Sequence, residues 1–166
     1  MKLLISNTRV LDNPTAGIDL EPAQIGSPPQ SGGSIIFSFD HVTVNNNGNG
    51  IYMNSAVQTE IRGTITNSVI SSNVNGIVAT SAGSGSTVAV SIEDSSVSNH
   101  GFGNNQSGIS VSNNFSSVWL SHSLINNNYT GIAISNGGFV NSAGNNDIIA
   151  NVTPVSGGSL VSAPEQ

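Results

Sequence analysis

The chain has no cysteine, one tryptophan and three basic residues, Lys2, Arg9 and Arg62. The missing cysteine excludes disulfides and thiolate metal sites. No basic residue lies beyond position 62, so no cationic stripe exists to neutralise phosphates, and nucleic acid is excluded as a partner. Charged residues make up 7% of the 166, against roughly a quarter in an ordinary soluble domain, and the net charge is −6. No apolar run approaches the roughly 18 residues of a membrane span. The opening burst "MKLLIS" is too short for the core of a signal peptide. As written, the chain is expected in the cytoplasm, or secreted or at the cell surface if it is a fragment of a longer exported protein.

What fills the sequence is Asn, Ser, Thr and 19 Gly. Polar low-complexity chains often stay disordered, but disorder goes with high net charge and few β-branched residues. Here Ile and Val are abundant and regularly placed, which argues for one folded, β-rich domain over residues 1–166.

The regularity is a repeat. Gly-Ile recurs at 17–18, 50–51, 76–77, 108–109 and 131–132. Two positions beyond each isoleucine stands Leu20, Met53, Ala79, Val111 or Ile134. Upstream lies a second column, Val10, Val44, Ile70, Val97 and Ile125, whose members are 34, 26, 27 and 28 residues apart. Three positions after these come Asn13, Asn47, Asn73, His100 and Asn128. Further columns read Ile5, Phe39, Ile65, Ile92, Leu120 and Leu3, Phe37, Gly63, Val90, Val118.

Such a period signals a stacked repeat, each unit holding three short apolar pulses too small to bury themselves. Coils stacked at about 4.8 Å would form parallel sheets with identical columns facing inward. Within "SVISSNVNGIVA", residues 68–79, the bend is expected at Asn73–Gly76, with Gly76 at positive φ. The Asn column is expected to form a side-chain amide ladder.

The stretches "VISSNVNGIVA" and "LINNNYTGIAI" carry a resemblance to bacterial right-handed parallel β-helices of the pectate-lyase-like superfamily. The resemblance covers roughly residues 3–153 and implies an all-β solenoid of about five to six coils. Pectate lyases of that superfamily use clustered Asp for calcium and an Arg or Lys as base. This sequence has no Asp-rich cluster, and Arg62 is the one basic residue of the repeats after the first coil. A lyase of that type, calcium and any other cofactor are therefore not expected. No nucleotide, hydrolase or zinc motif is present.

Residues 19–33, with Pro22, Pro28 and Pro29, are expected to form an inserted loop. Residues 140–166 are expected to form an irregular closing segment, because no further Gly-Ile follows Asn146-Asp147-Ile148-Ile149. The repeat is already running at Leu3, so the chain is expected to be a C-terminal portion of a longer protein or to self-associate through an uncapped N-terminal coil.

Superposing the coils places Leu4, Ser38, Thr64, Ser91 and Trp119 in one outward column. Ser6, Asp40, Thr66, Glu93 and Ser121 form another, and Asn7, His41, Asn67, Asp94 and His122 a third, at a corner. Trp119, Glu93, Asp94 and His122 thereby converge on one side of the solenoid. In a binding reading Trp119 stacks on a sugar ring of a polysaccharide, and the carboxylates and His122 accept or donate hydrogen bonds. In an enzyme reading Asp40, Glu93, Asp94 and His122 supply acid and base, since carboxyl groups two coils apart approach the roughly 6.5–9.5 Å separation of an inverting glycosidase. Against both stands the ordinary role of such residues as solvated groups on a strand exterior. The leading expectation is a non-catalytic structural or binding module.

Overall fold

The computed structural model describes residues 1–25, 31–101 and 106–163. It has no helix long and apolar enough to cross a membrane among these residues. The chain winds into a parallel β-helix of six coils, with a short strand, Val161–Ser162, opening a seventh. Strands stack into an eleven-stranded and a six-stranded parallel sheet. The larger sheet is folded at a corner and so supplies two faces. On the first lie Ser34–Asp40, Glu60–Thr66, Thr87–Glu93, Ser116–Ser121 and Phe139–Ser142. On the second lie Val69–Ser71, Ser96–Ser98, Leu124–Asn126 and Asp147–Ile149. The six-stranded sheet is the third face, running from Ala16–Leu20 to Thr153–Ser156. Lys2–Leu11 and Ser34–Asn45 each cross the first corner as one strand, with the ladder skipping Asn7 and His41.

The inward columns are those of the sequence. Ile18, Ile51, Ile77, Ile109 and Ile132 stand in register and are buried, with Val155 continuing the column in the sixth coil. Val44, Ile70, Val97 and Ile125 are likewise fully buried. Size is matched between coils as well as within them. The ring of Phe37 lies where a Cβ on Gly63 would be, 2.5 Å from its Cδ1, and the Phe37 and Phe39 rings pack at 4.6 Å.

Coils turn because single residues adopt left-handed backbone. At the corner between the first and second faces these are Asn7, His41, Asn67, Asp94 and His122, with φ between 45° and 53°. Between the second and third faces they are Asp12, Asn46, Ser72, Asn99, Asn127 and Ala150, with φ between 53° and 62°. Asn, Asp and His are the non-glycine residues most tolerant of that region. The bend in residues 68–79 therefore falls at Ser72, not at Gly76, which has ordinary extended backbone within Asn75–Ser81. Gly76 is required for space. A Cβ there would lie 2.3 Å from the Gly108 carbonyl oxygen and 2.7 Å from His100 Nε2. Gly50 and Gly108 are confined in the same way by the next coil's carbonyl and by the Nδ2 of Asn73 and Asn128.

Those neighbours belong to the amide ladder. The backbone N–H of Asn13 donates to Asn47 Oδ1 at 2.9 Å, that of Asn47 to Asn73 Oδ1 at 2.8 Å, and that of Asn128 to Asn151 Oδ1 at 3.0 Å. His100 takes one rung. Its Nδ1 accepts from the Asn73 N–H at 3.1 Å, so its Nε2 carries the hydrogen and donates to the Ile70 carbonyl at 3.0 Å. The His100 N–H then donates to Asn128 Oδ1 at 3.0 Å. Burial pushes His100 below the ordinary histidine value, although its contacts with the Asn73 and Ile70 carbonyls act in the other direction.

A second ladder, built on serine, lines the first corner. The N–H of Val42 donates to Ser68 Oγ, that of Ser68 to Ser95 Oγ, that of Ser95 to Ser123 Oγ and that of Ser123 to Asn146 Oδ1, at 2.9–3.3 Å. Each serine hydroxyl donates to the carbonyl two residues before it, at 2.6–2.8 Å.

The insertion begins after Leu20 and contains a two-residue antiparallel pairing, Gln24–Ile25 with Ser31–Gly32. Residues 26–30, with Pro28 and Pro29, lie outside the described residues. The sixth coil is more regular than its sequence suggests. Thr153-Pro154-Val155 stands in register with Thr130-Gly131-Ile132, so Pro-Val replaces Gly-Ile there. Among the described residues the ladder runs to Ser156 and resumes at Val161–Ser162.

Two outcomes test this architecture. Gly76→Ala should destabilise by about 1–3 kcal/mol through overpacking, and Ile77→Asp by several kcal/mol through an unpaired buried carboxylate. Denaturant titration of either variant at parental stability would refute the assigned columns. His100 supplies the second test. Since the folded state resists protonating it, its contribution is complete above the ordinary value of 6.5 and is lost as pH falls below that value. Melting temperature should drop through this range, and His100→Asn, the residue of the other rungs, should flatten that part of the profile.

Candidate functional site

The outward side of the first face carries the candidate residues. Trp119 stands between Ser91 of the preceding coil and Asn141 of the following one, and is 45% exposed. Glu93 is paired with Ser121, which makes it a diagonal neighbour of Trp119 on the same side, and it too is exposed. Phe139 pairs with Ser117, which makes it a diagonal neighbour of Trp119, and Val161 lies one coil further on, beyond Asn141; all three are exposed. Phe139 and Val161 escape a reading that ends the regular coils at residue 140. The signal for Phe139 is the alternation of "GFVNS", which repeats that of "SSVWLS" with an aromatic residue two positions earlier.

Asp94 and His122 occupy adjacent rungs of the first corner, where the backbone requires a residue tolerant of positive φ. With Asn67, Val69, Ser96 and Leu124 they line a shallow open depression on the second face. The His122 Nδ1 lies 2.9 Å from Ser121 Oγ, and the ring lies within 3.2 Å of Asn145 Nδ2. The His122 N–H donates to Asn145 Oδ1 at 3.0 Å. Asn145 is thus a partner of the candidate histidine that the five-coil alignment does not reach.

Asp40 is two coils from Glu93, with Thr66 between them in register. Its Oδ1 accepts from Asn67 Nδ2 at 2.9 Å and Thr66 Oγ1 at 3.0 Å, and its Oδ2 lies 2.9 Å from His41 Nδ1. These hydrogen bonds, that from Asn67 foremost, then His41 and Thr66, hold the carboxyl down at about 2. A group so held is an acceptor at neutral pH and has no proton to give. Arg62 donates through Nε to the Glu60 carboxylate on the first face. Among the described residues no three His, Asp or Glu side chains gather where a metal ion could be held. The geometry brings Trp119 and Glu93 together on a flat exterior, puts Asp94 and His122 round the corner from them, and leaves Asp40 in a hydrogen-bonded group of its own.

Removing the Asn67 amide should release Asp40 most. In Asn67→Ala the carboxyl should titrate closer to the ordinary aspartate value of 3.8 than the parent's value of about 2, read by carboxyl-carbon chemical shifts on acidification. An unchanged titration would show that the other partners suffice.

Comparison with protein families, with curated proteins and with solved structures finds no match for this chain.

Proposed function

We propose that this chain is a non-catalytic β-helix module, of the bacterial pectate-lyase-like kind that its repeats resemble, which binds a polysaccharide strand along the outward side of its first face. The observation that carries this reading is Trp119, 45% exposed on a flat sheet and flanked by Ser91 and Asn141. An indole held on rigid strands offers a sugar ring an apolar platform at little entropic cost, and neighbouring hydroxyl and amide groups match hydroxyls along the strand. Glu93 on the diagonal adds an acceptor. The net charge of −6 disfavours a strongly anionic polymer and favours a neutral or mildly acidic one.

The enzyme reading requires one carboxyl that gives a proton beside one that accepts it. The hydrogen bonds that hold Asp40 down at about 2 disfavour it as the donor. That leaves Glu93, Asp94 and His122 for the catalytic roles, with Asp94 and His122 around a corner from Trp119.

A panel of soluble polysaccharides, read by Trp119 fluorescence, tests the proposal. Quenching or a spectral shift is expected with a neutral glycan, without release of reducing ends. Trp119→Ala should weaken binding by at least about tenfold, equivalent to about 1.4 kcal/mol, with an unchanged melting temperature. No binding across the panel would remove the glycan reading. Product formation that disappears in Glu93→Gln would replace it with the enzyme reading.

A further inference from the structure

Four asparagines of the chain are followed directly by glycine: Asn47, Asn49, Asn75 and Asn136. In such a pair the side-chain amide is open to attack by the backbone nitrogen that follows it. Glycine brings no side chain to block the approach, and its backbone turns freely into the conformations that allow it. In an unfolded chain the four pairs would be nearly equivalent. The fold separates them.

Asn47 is a buried rung of the amide ladder. Its Oδ1 accepts from the backbone and side-chain nitrogens of Asn13. Its Nδ2 donates to the Val10 and Asn45 carbonyls and to Asn73 Oδ1. The Gly48 N–H is itself held by the Asn13 carbonyl at 2.9 Å. Asn49 and Asn75 stand in register on the third face, where Asn75 Nδ2 donates to Asn49 Oδ1 at 3.0 Å. Asn75 Oδ1 accepts from the Ser107 N–H at 3.2 Å. The glycines that follow, Gly50 and Gly76, pack against the carbonyl oxygens of Gly76 and Gly108. To bring any of these three amides onto the next nitrogen, the ladder or sheet around it must open. Openings of packed strands cost a large part of the global stability.

Asn136 and Gly137 are both exposed. They are the central residues of a turn between the third and first faces, closed by the Gly138 N–H on the Ser135 carbonyl at 2.9 Å. Their φ values, 49° and 83°, give it the positive pair of a type I′ turn. Asn136 borders a shallow open depression with Ala82, Gly83 and Asn114. Loosening this one turn is enough to bring its amide and the next nitrogen together, and an exposed turn opens at the low end of the stability scale. We infer that Asn136 is a site of spontaneous covalent modification, losing its side-chain amide to attack by the Gly137 nitrogen, while the fold keeps Asn47, Asn49 and Asn75 intact. Hydroxide takes the Gly137 N–H proton, the nitrogen bonds to Asn136 Cγ, and the Cγ–Nδ2 bond breaks with release of ammonia. Water then opens the five-membered imide at either carbonyl, leaving aspartate or its β-linked isomer. One water is consumed and one ammonia released, with no oxidation or reduction. Either product adds one negative charge to the net −6. The β-linked product also lengthens the main chain by one atom in the turn that leads into Phe139–Ser142. This inference is independent of the glycan reading.

Peptide mass mapping of the full chain after incubation at mildly alkaline pH tests it. Amide-to-acid conversion at Asn136 should be at least about tenfold faster than at Asn47, Asn49 or Asn75, and should quicken as hydroxide concentration rises. The β-linked isomer should be detected at Asn136 by an isoaspartate-specific methyltransferase. In guanidinium chloride at the same pH the four rates should converge, because the protection belongs to the fold. Asn136→His removes the amide and places there a residue that the first corner accepts at positive φ, as His41 and His122 show. It should abolish the early ammonia release without lowering the melting temperature. The parental rates decide the matter even if that variant folds poorly. Equal rates at the four pairs in the folded chain overturn the inference, as does another asparagine reacting first. An Asn136 that stays intact while the unfolded chain reacts overturns it equally.

Discussion

Each time a coil leaves a sheet, one backbone N–H points along the axis with no strand beside it, and it must still find an acceptor. Buried without one, it would cost about 1–3 kcal/mol. This chain meets the need with side chains of the next coil, Asn and His100 at one corner and Ser at another. Much else is subordinate to that solution. The ladder amides occupy the space beside the third face, so Gly precedes Ile in the first five coils. The corner residues must be compact and tolerant of positive φ, so Asn, Asp and His dominate the first corner. Hydrophobic burial holds the coils together, but the ladders decide where they turn.

That subordination bears on how chemistry is read from the sequence. Asp94 and His122 are ionisable residues in adjacent coils, the usual mark of a catalytic pair. Their backbone supplies a separate reason for their identities, because Asn7 and Asn67 occupy equivalent positions. Trp119 has no such reason. Nothing in the turn or ladder geometry calls for an exposed indole at the centre of a strand, which is why the binding reading rests on it and not on the more numerous polar groups.

The inward columns, the amide ladder and the first corner were legible because each repeats an uncommon residue choice at a steady interval. The serine ladder was not, since Ser68, Ser95 and Ser123 are lost among the many serines of the chain and hydrogen-bond direction leaves no mark in composition. The role of Gly76 was misread for a physical reason: glycine serves both positive φ and close approach, and the sequence alone does not separate them. The sixth coil was hidden by substitution of Pro-Val for Gly-Ile and by its 23-residue interval from Asn128 to Asn151. With it went Phe139 and Asn145, half the surroundings of the candidate site.

The three corners differ in what they allow the chain to become. The first turns on one left-handed residue followed by a ladder rung, and in the sixth coil it takes one residue more than in the fifth while Ile148 stays in register with Ile125. The third corner carries 21–33, 56–59, 82–86, 113–115 and 136–138 between strands that remain in register. Loop closure grows slowly with length, about 0.6 kcal/mol for each doubling. The first corner has thus taken a single residue, while the third, like the second between Ser98 and Ser107, carries whole segments. Descent with insertion would build new surfaces along these two edges of the solenoid, one of them beside the face that bears Trp119.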